Sequence, residues 1–300
     1  MTNFSLEGWL PGQQRRVEAL LASRMEAIRR RSPARLADAM AYSLLDGGKR
    51  LRPVLCLTFA DAVARASNGG GEPGNDAACA LECVHTYSLV HDDLPAMDDD
   101  ELRRGRPTNH KVHGEAMAIL AGDALLTDAF ALLATGPSAE QAVRGRLAGE
   151  LALAAGAGGM VGGQVLDIAE DRPAELDYLN RLHRMKTGAL IKAACRMGAI
   201  AGGADEPTLQ AADAYGDAVG LAFQIADDIL DVTASAAQMG KPTGADAEAG
   251  RHTFPAVVGL AQARELAKSH VARALAAVRG LEGDDGPLAA LARYSIERTS

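Results

Sequence analysis

Apolar residues recur along this chain with the spacing of one face of an α-helix, and nowhere do they alternate long enough to build a sheet. Val54, Leu55, Leu57, Phe59 and Val63 form one such stripe behind Pro53, a residue favoured in a helix's first turn. Others run from Ile119 to Leu133, Leu147 to Leu153, Tyr178 to Ile200 and Tyr215 to Val232. Aromatics make up only 4% of the 300 residues and Ala is abundant, so close-packed helices are expected rather than β-sandwiches. The breaks are short and rich in Gly and Pro: 68–75, 135–138, 202–207, 239–244 and 283–287. None has the length of an interdomain linker. The pattern therefore predicts one large all-α domain over residues 1–300, in preference to the two domains that length alone would allow. The glycine-rich stretch Gly156 to Gly163 follows no strand, so a phosphate-cradling loop is excluded and close packing of two helices is expected there.

A net charge of -8 argues against nucleic acid as a standing partner. No unbroken run of about 18 apolar residues appears, and the N-terminus lacks the basic and apolar regions of a signal peptide. A cytoplasmic protein without stable membrane insertion is the expectation. Cys56, Cys79, Cys83 and Cys195 sit in apolar helical sequence and read as reduced, buried thiols. Cys79, Cys83 and His85 lack a fourth ligand at metal-binding spacing.

Two acidic clusters carry the chemistry. In Phe223-Gln224-Ile225-Ala226-Asp227-Asp228-Ile229-Leu230-Asp231, Asp227 and Asp231 are four apart and share a helix face with Gln224. Two such charges about 4 Å apart repel by roughly 4 kcal/mol at an effective dielectric near 20. A cation between them removes that cost, and hard carboxylate oxygens without His or Cys suit Mg²⁺, which commonly bridges to phosphates. In the stretch from His91 to Thr108, Asp92 and Asp98 are six apart, which an ideal helix would turn roughly 240° from each other. Pro95 lies between them and cannot donate to the His91 carbonyl, so the helix should end or distort and let Asp98 swing back.

Cations answer the acids. Gly47-Gly48-Lys49-Arg50-Leu51-Arg52-Pro53 places Lys49 and Arg52 at a helix N-terminus, where amides also favour anions. Arg103 and Arg104 follow the first acidic cluster, Lys186 and Thr187 lie in His183-Arg184-Met185-Lys186-Thr187-Gly188, and Lys241 in Gly240-Lys241-Pro242. The conjunction predicts one metal-bound diphosphate and a second anion held without metal.

GGKRLRP, ECVHTYSLVHDDLPAMDDDELRRGRPT, GGQVLDI, HRMKTGALI, AFQIADDILD and GKPTGAD occur in this order over residues 47–246. The chain thereby resembles the short-chain trans-prenyl diphosphate synthases, most closely their bacterial farnesyl-type members. The resemblance implies an all-α bundle of the isoprenoid synthase type with a central cavity, working as a homodimer. It implies Mg²⁺, three ions per active site, bound by Asp92, Asp98 and Asp227, with Asp93, Asp228 and Asp231 in support. Lys49, Arg52, His85 and Arg104 would hold isopentenyl diphosphate. Arg103, Lys186, Thr187, Gln224, Lys241 and Arg251 would hold the allylic diphosphate. The implied reaction is ionisation, condensation and elimination, with Thr187 and Gln224 directing dipoles at the carbocation and the released pyrophosphate taking the proton. Tyr87 and Ser88, five and four residues before Asp92, would stop chain growth at C15 rather than C20 or C10. Arg251-His252-Thr253-Phe254-Pro255 departs from the usual Lys-x-Thr-Tyr-Pro, which leaves the role of Arg251 open. The rival readings are a terpene cyclase, a non-catalytic subunit of the same fold, and an acidic Ca²⁺ protein; the last lacks an Asp-x-Asp-x-Asp-Gly loop.

Overall fold

The structure, a computed structural model, describes residues 4–67, 72–138, 140–233 and 252–297. Its helices are α1 (Leu6–Arg29), α2 (Ala34–Leu44), α3 (Leu51–Ala66), α4 (Asn75–Asp92), α5 (Asn109–His113), α6 (Glu115–Thr135), α7 (Gln141–Ala155) and α8 (Met160–Asp167). They continue with α9 (Leu176–His183), a π-helical turn (Arg184–Gly188), α10 (Ala189–Ala201), α11 (Glu206–Thr233), α12 (Phe254–Val258), α13 (Leu260–Glu282) and α14 (Pro287–Glu297).

α3, α4 and α10 form the interior of the bundle. From Pro53 to Ala60 every residue of α3 is buried, as is every residue of α4 from Asn75 to Val84. Both stretches are enclosed on all sides, and the acids among them are paired, Asp76 with Arg24 and Glu82 with Arg50. α6 packs on α4, α3 on α10, α10 on α11, and α13 on the outside of α11. Small residues permit the approach: a Cβ on Gly198 of α10 would strike the Cys56 carbonyl of α3. Phe59 and Tyr215 meet edge to face at 5.3 Å in the core, and the Tyr215 hydroxyl donates to the Leu288 carbonyl at 2.8 Å, tying α14 to α11. A second cluster, built on Leu179, Leu221, Ile225 and Phe254, joins α9, α11, α12 and α13. The four cysteines are free and buried, and burial pushes their thiols well above the ordinary range.

α6 has the length and composition to cross a bilayer, which the sequence reading does not anticipate. Asp123 and Asp128 interrupt its apolar run, and Asp128 accepts from Arg31 at 2.7 Å. Ala121, Leu125, Ala129 and Leu133 of α6 lie in the bundle core, while Ile119 and Leu120 remain exposed.

The absence of alternation agrees with the sheet content among the described residues, a two-residue hairpin of β1 (Leu102–Arg103) and β2 (Arg106–Pro107). Arg104 and Gly105 at its tip both have positive φ, 53° and 76°, the conformation of a tight type I′ turn. Beside this turn Arg103 reaches back to Asp93, while Arg104 reaches the Gly47 carbonyl.

Candidate active site

α4 ends at Asp92, and the chain turns back over Leu94 to Met97. The Met97 amide donates to the Leu94 carbonyl at 2.8 Å and the Asp98 amide to the Asp92 carbonyl at 2.9 Å. The proline-led break anticipated at Pro95 thus returns Asp98 to the end of the helix that bears Asp92. Asp99 closes the turn with a left-handed φ of 50°.

Asp92 is half-buried. Its carboxyl is raised to about 6, chiefly by burial, with Lys186 opposing and the nearby Asp98 charge adding to the shift. Its Oδ1 accepts from the Gln164 amide at 3.0 Å. Such a group gains from a cation and cannot obtain one from Lys186 alone, because the Lys186 ammonium is bonded to Asp167. Asp93 is buried and accepts from the Arg103 Nε at 2.7 Å. Arg103 therefore arrives at the site already oriented by an aspartate of the same motif.

The second acidic cluster lies in the last turns of α11, where Asp228 and Asp231 are buried and Asp227 is half-buried. Asp228 is a structural anchor. It accepts from Gln224 Nε2 at 3.1 Å and from the Phe254 amide at 2.9 Å, so it caps the start of α12. His183 lies 3.9 Å from Asp228 and stacks on Phe254; burial pushes its imidazole down to about 4, so it is neutral. Thr187 donates to Gln224 Oε1 at 3.1 Å.

Lys186 and Thr187 belong to the π-helical turn rather than to the continuous helix that the stripe from Tyr178 to Ile200 suggests. One extra residue in the turn rotates α10 relative to α9 and aims both side chains at the cavities, a recurrent use of such turns. Gly163 of α8 sets the spacing, since a Cβ there would overlap the Lys186 backbone. The glycine-rich stretch is thus used for close packing, as its sequence implies. Gly163→Ala should displace Lys186 by about an ångström and lower turnover about 10- to 100-fold with little loss of helicity, checked by steady-state kinetics and circular dichroism.

Two cavities meet at Lys186 and Thr187. One, about 120 Å³, has mixed walls that include Asp167, His183, Gln224 and Asp228 beside Leu179 and Leu182. The other, about 420 Å³, runs from Asp92 and Lys186 down an apolar wall of Met97, Met160, Val161, Val165 and Ile168 to Tyr87 and Ser88. Arg52 and His85 also face this second cavity. Tyr87 is 7% exposed and meets His91 edge to face, centroids 5.7 Å apart. His91 Nε2 lies 3.1 Å from the Ile119 carbonyl, in a space that Gly122 leaves open. This aromatic pair forms one wall of the cavity.

Arg104 donates to the Gly47 carbonyl and its guanidinium lies against Gly48, so the hairpin and the turn before α3 are locked together. His85 is held well below its ordinary value by burial and by the charges of Arg52, Arg104 and Arg103. Lys241 and Arg251 lie outside the described residues. Gln164 and Asp167 join the site from a part of the sequence that carries a weaker signal: in GGQVLDI they are three apart and share a face of α8. Among the described residues no three His, Cys, Asp or Glu side chains gather into an all-protein metal cage. The oxygen donors present suit Mg²⁺ all the same, since that ion is commonly held by one or two carboxylates together with substrate phosphates and water.

An all-α bundle with paired aspartate motifs and a cation-rimmed apolar cavity is the architecture of the isoprenoid synthase type. The chain belongs to the polyprenyl synthetase family, whose profile matches residues 33–282. It is 45% identical over 294 residues to a farnesyl diphosphate synthase of Geobacillus stearothermophilus, covering 96% of each chain. It is also 45% identical over 282 residues to the large subunit 1 of a heterodimeric geranylgeranyl pyrophosphate synthase of Arabidopsis thaliana, covering 91% of this chain and 74% of that one. A crystal structure of an FPP/GFPP synthase from Zymomonas mobilis superposes with a TM-score of 0.80 at 35% identity, covering 98% and 99% of the two chains.

Proposed function

We propose that this chain is a prenyltransferase that condenses isopentenyl diphosphate with dimethylallyl and geranyl diphosphate to make farnesyl diphosphate. The observation that carries this reading is the cavity leading from Asp92, Lys186 and Thr187 along an apolar wall to Tyr87. A diphosphate fits the charged mouth and a hydrocarbon tail fits the interior, because apolar surface leaves water there at roughly 25 cal/mol per Å².

Asp92, Asp98 and Asp227 would hold Mg²⁺, which when bound neutralises charge on the allylic diphosphate and favours its departure. Arg103 and Lys186 add fixed positive charge at the same end, with Lys241 and Arg251 assigned there from sequence. Preorganised charge of this kind is commonly the largest catalytic contribution. Lys49, Arg52, His85 and Arg104 would hold isopentenyl diphosphate so that its double bond faces the allylic carbon. Thr187 and Gln224, mutually hydrogen-bonded at 3.1 Å, present oxygen lone pairs to developing positive charge. With substrate in place the apolar wall would keep water, which would otherwise capture the cation, away from the reacting carbon. The departing pyrophosphate is the base for the final proton, so no side chain need serve. The enzyme would act in the cytoplasm as a single polyprenyl synthase domain. The exposed Ile119 and Leu120 of α6 are suited to cover the same face of a second copy.

A geranylgeranyl product is the second reading, favoured by the Arabidopsis relative. Tyr87 separates the two. Incubation with isopentenyl and geranyl diphosphates and Mg²⁺ should yield C15 product, and Tyr87→Ala should shift the major product to C20 by opening the end of the cavity. Chromatography of the dephosphorylated alcohols reads this directly. A wild-type chain yielding mainly C20, or a Tyr87→Ala variant still stopping at C15, removes the ring from length control.

A further inference from the structure

The turn that carries Lys49 and Arg52 is built on a buried ion pair that lines neither of the two cavities at Lys186. Arg50, the residue between them, has a left-handed φ of 50°, a conformation unfavourable for a side-chain-bearing residue outside a tight structural context. Its guanidinium is 1% exposed. It donates from Nε to Glu18 of α1 at 2.7 Å, from Nη1 to Glu82 of α4, and from Nη2 to the Leu44 carbonyl at the end of α2 at 2.7 Å. Glu82 is itself only 3% exposed in its side chain. Burying two such charges costs several kcal/mol per ion before their attraction is counted, so stability alone is a weak reason for the pair.

Its position suggests the reason. Glu82 lies one turn before His85 on α4, and Arg52 follows Arg50 by two residues. Burial, and after it the charges of Arg52, Arg104, Arg103 and Arg50, depress the proton affinity of the His85 imidazole. Arg52 has a buried Nε with no partner among the described residues, and Glu82 is the anion that offsets the cost of its burial. Without an internal anion these cations would repel one another apart while the subsite is empty.

We infer that Glu82 is a positioning residue for the metal-free diphosphate subsite: through Arg50 it locks the turn between α2 and α3, and its charge keeps Arg52 facing the cavity before substrate arrives. The inference rests on the proposed function, because it deepens the assignment of that subsite. Glu82 touches no substrate and acts on one of the two diphosphates only.

Two measurements test it. Inorganic pyrophosphate is titrated by calorimetry into the full-length protein in excess EDTA, so that only the metal-free subsite is read. The wild type should bind, Arg52→Met should lose the binding, and Glu82→Gln should weaken it at least fivefold. Arg50→Met should weaken it similarly, and the double variant should be no worse than the poorer single variant, because the two residues act as one unit. In steady-state assays Glu82→Gln should raise KM for isopentenyl diphosphate at least fivefold, with KM for geranyl diphosphate and kcat within twofold of wild type. A purely structural role would lower kcat and raise both KM values together, and that result overturns the inference. So do an unchanged or tighter affinity in Glu82→Gln, additive losses in the double variant, and a wild type that binds no pyrophosphate in EDTA. Should Glu82→Gln fail to fold by circular dichroism, Glu18→Gln withdraws charge from the more exposed side of Arg50. It must raise the same KM selectively, and no change there sinks the idea equally. A wild type that binds pyrophosphate in EDTA yet never consumes isopentenyl diphosphate overturns the proposed reaction and leaves the subsite assignment standing.

Discussion

Asp92→Asn is expected to lower kcat about a thousandfold, roughly 4 kcal/mol of transition-state stabilisation, with KM for isopentenyl diphosphate within twofold of wild type. The amide keeps the shape of the carboxylate and an oxygen for the Gln164 Nε2 that lies 3.0 Å away, so the local fold should survive. What it loses is charge, at a point where burial and Asp98 already hold the carboxyl up at about 6 and make a bound cation most valuable. The proposed isopentenyl subsite would depend on the turn before α3 and on Arg104, which the change should leave untouched. Asp100→Asn is the control: Asp100 makes a 3.4 Å contact to Arg103 and its side chain is 36% exposed, so its loss should cost less than fivefold. Equal losses in the two variants would show that the acidic run works as a diffuse field and not through a particular carboxylate.

Removing divalent metal is expected to reduce turnover below about 1% of its starting rate, reversibly on adding Mg²⁺. The physical reason is the donor set. The proposed ligands Asp92, Asp98 and Asp227 are all carboxylates, and a diphosphate would bring more negative charge to them. Arg103 and Lys186 cannot offset this alone, since they are already engaged by Asp93 and Asp167. Ca²⁺ should restore little of the rate, because it takes more oxygen ligands in a looser geometry than a compact octahedral ion. Chelation should nevertheless spare binding at the metal-free subsite, where arginines meet the anion directly. Persistent turnover in excess chelator would contradict the assignment of the aspartates.

Much of this site is legible in the sequence. Pro95 announces the break that returns Asp98 to Asp92, because proline's missing donor acts locally whatever surrounds it. The glycine run before Gln164 signals close packing for a similar reason. Lys186 and Thr187 are recognisable as residues, yet their presentation by a π-helical turn is not: an apolar stripe from Tyr178 to Ile200 reads identically with or without one inserted residue. Asp167 is a comparable case. As a lone acid on a short helix it is indistinguishable from a solvated one until α8 is laid against Lys186.

Helical class, the order of the acidic and basic motifs, and the family are properties of this chain's one-dimensional pattern, since periodicity and spacing act over a few residues and need no partner. The packing of α4, α8 and α11 decided the rest: that Asp228 caps α12, that Gly122 makes room for His91 beside Tyr87, and that Arg50 is buried against Glu82. Those pairings join residues 26 positions apart or more, and whether a charge is solvated or enclosed depends on which surface arrives to cover it.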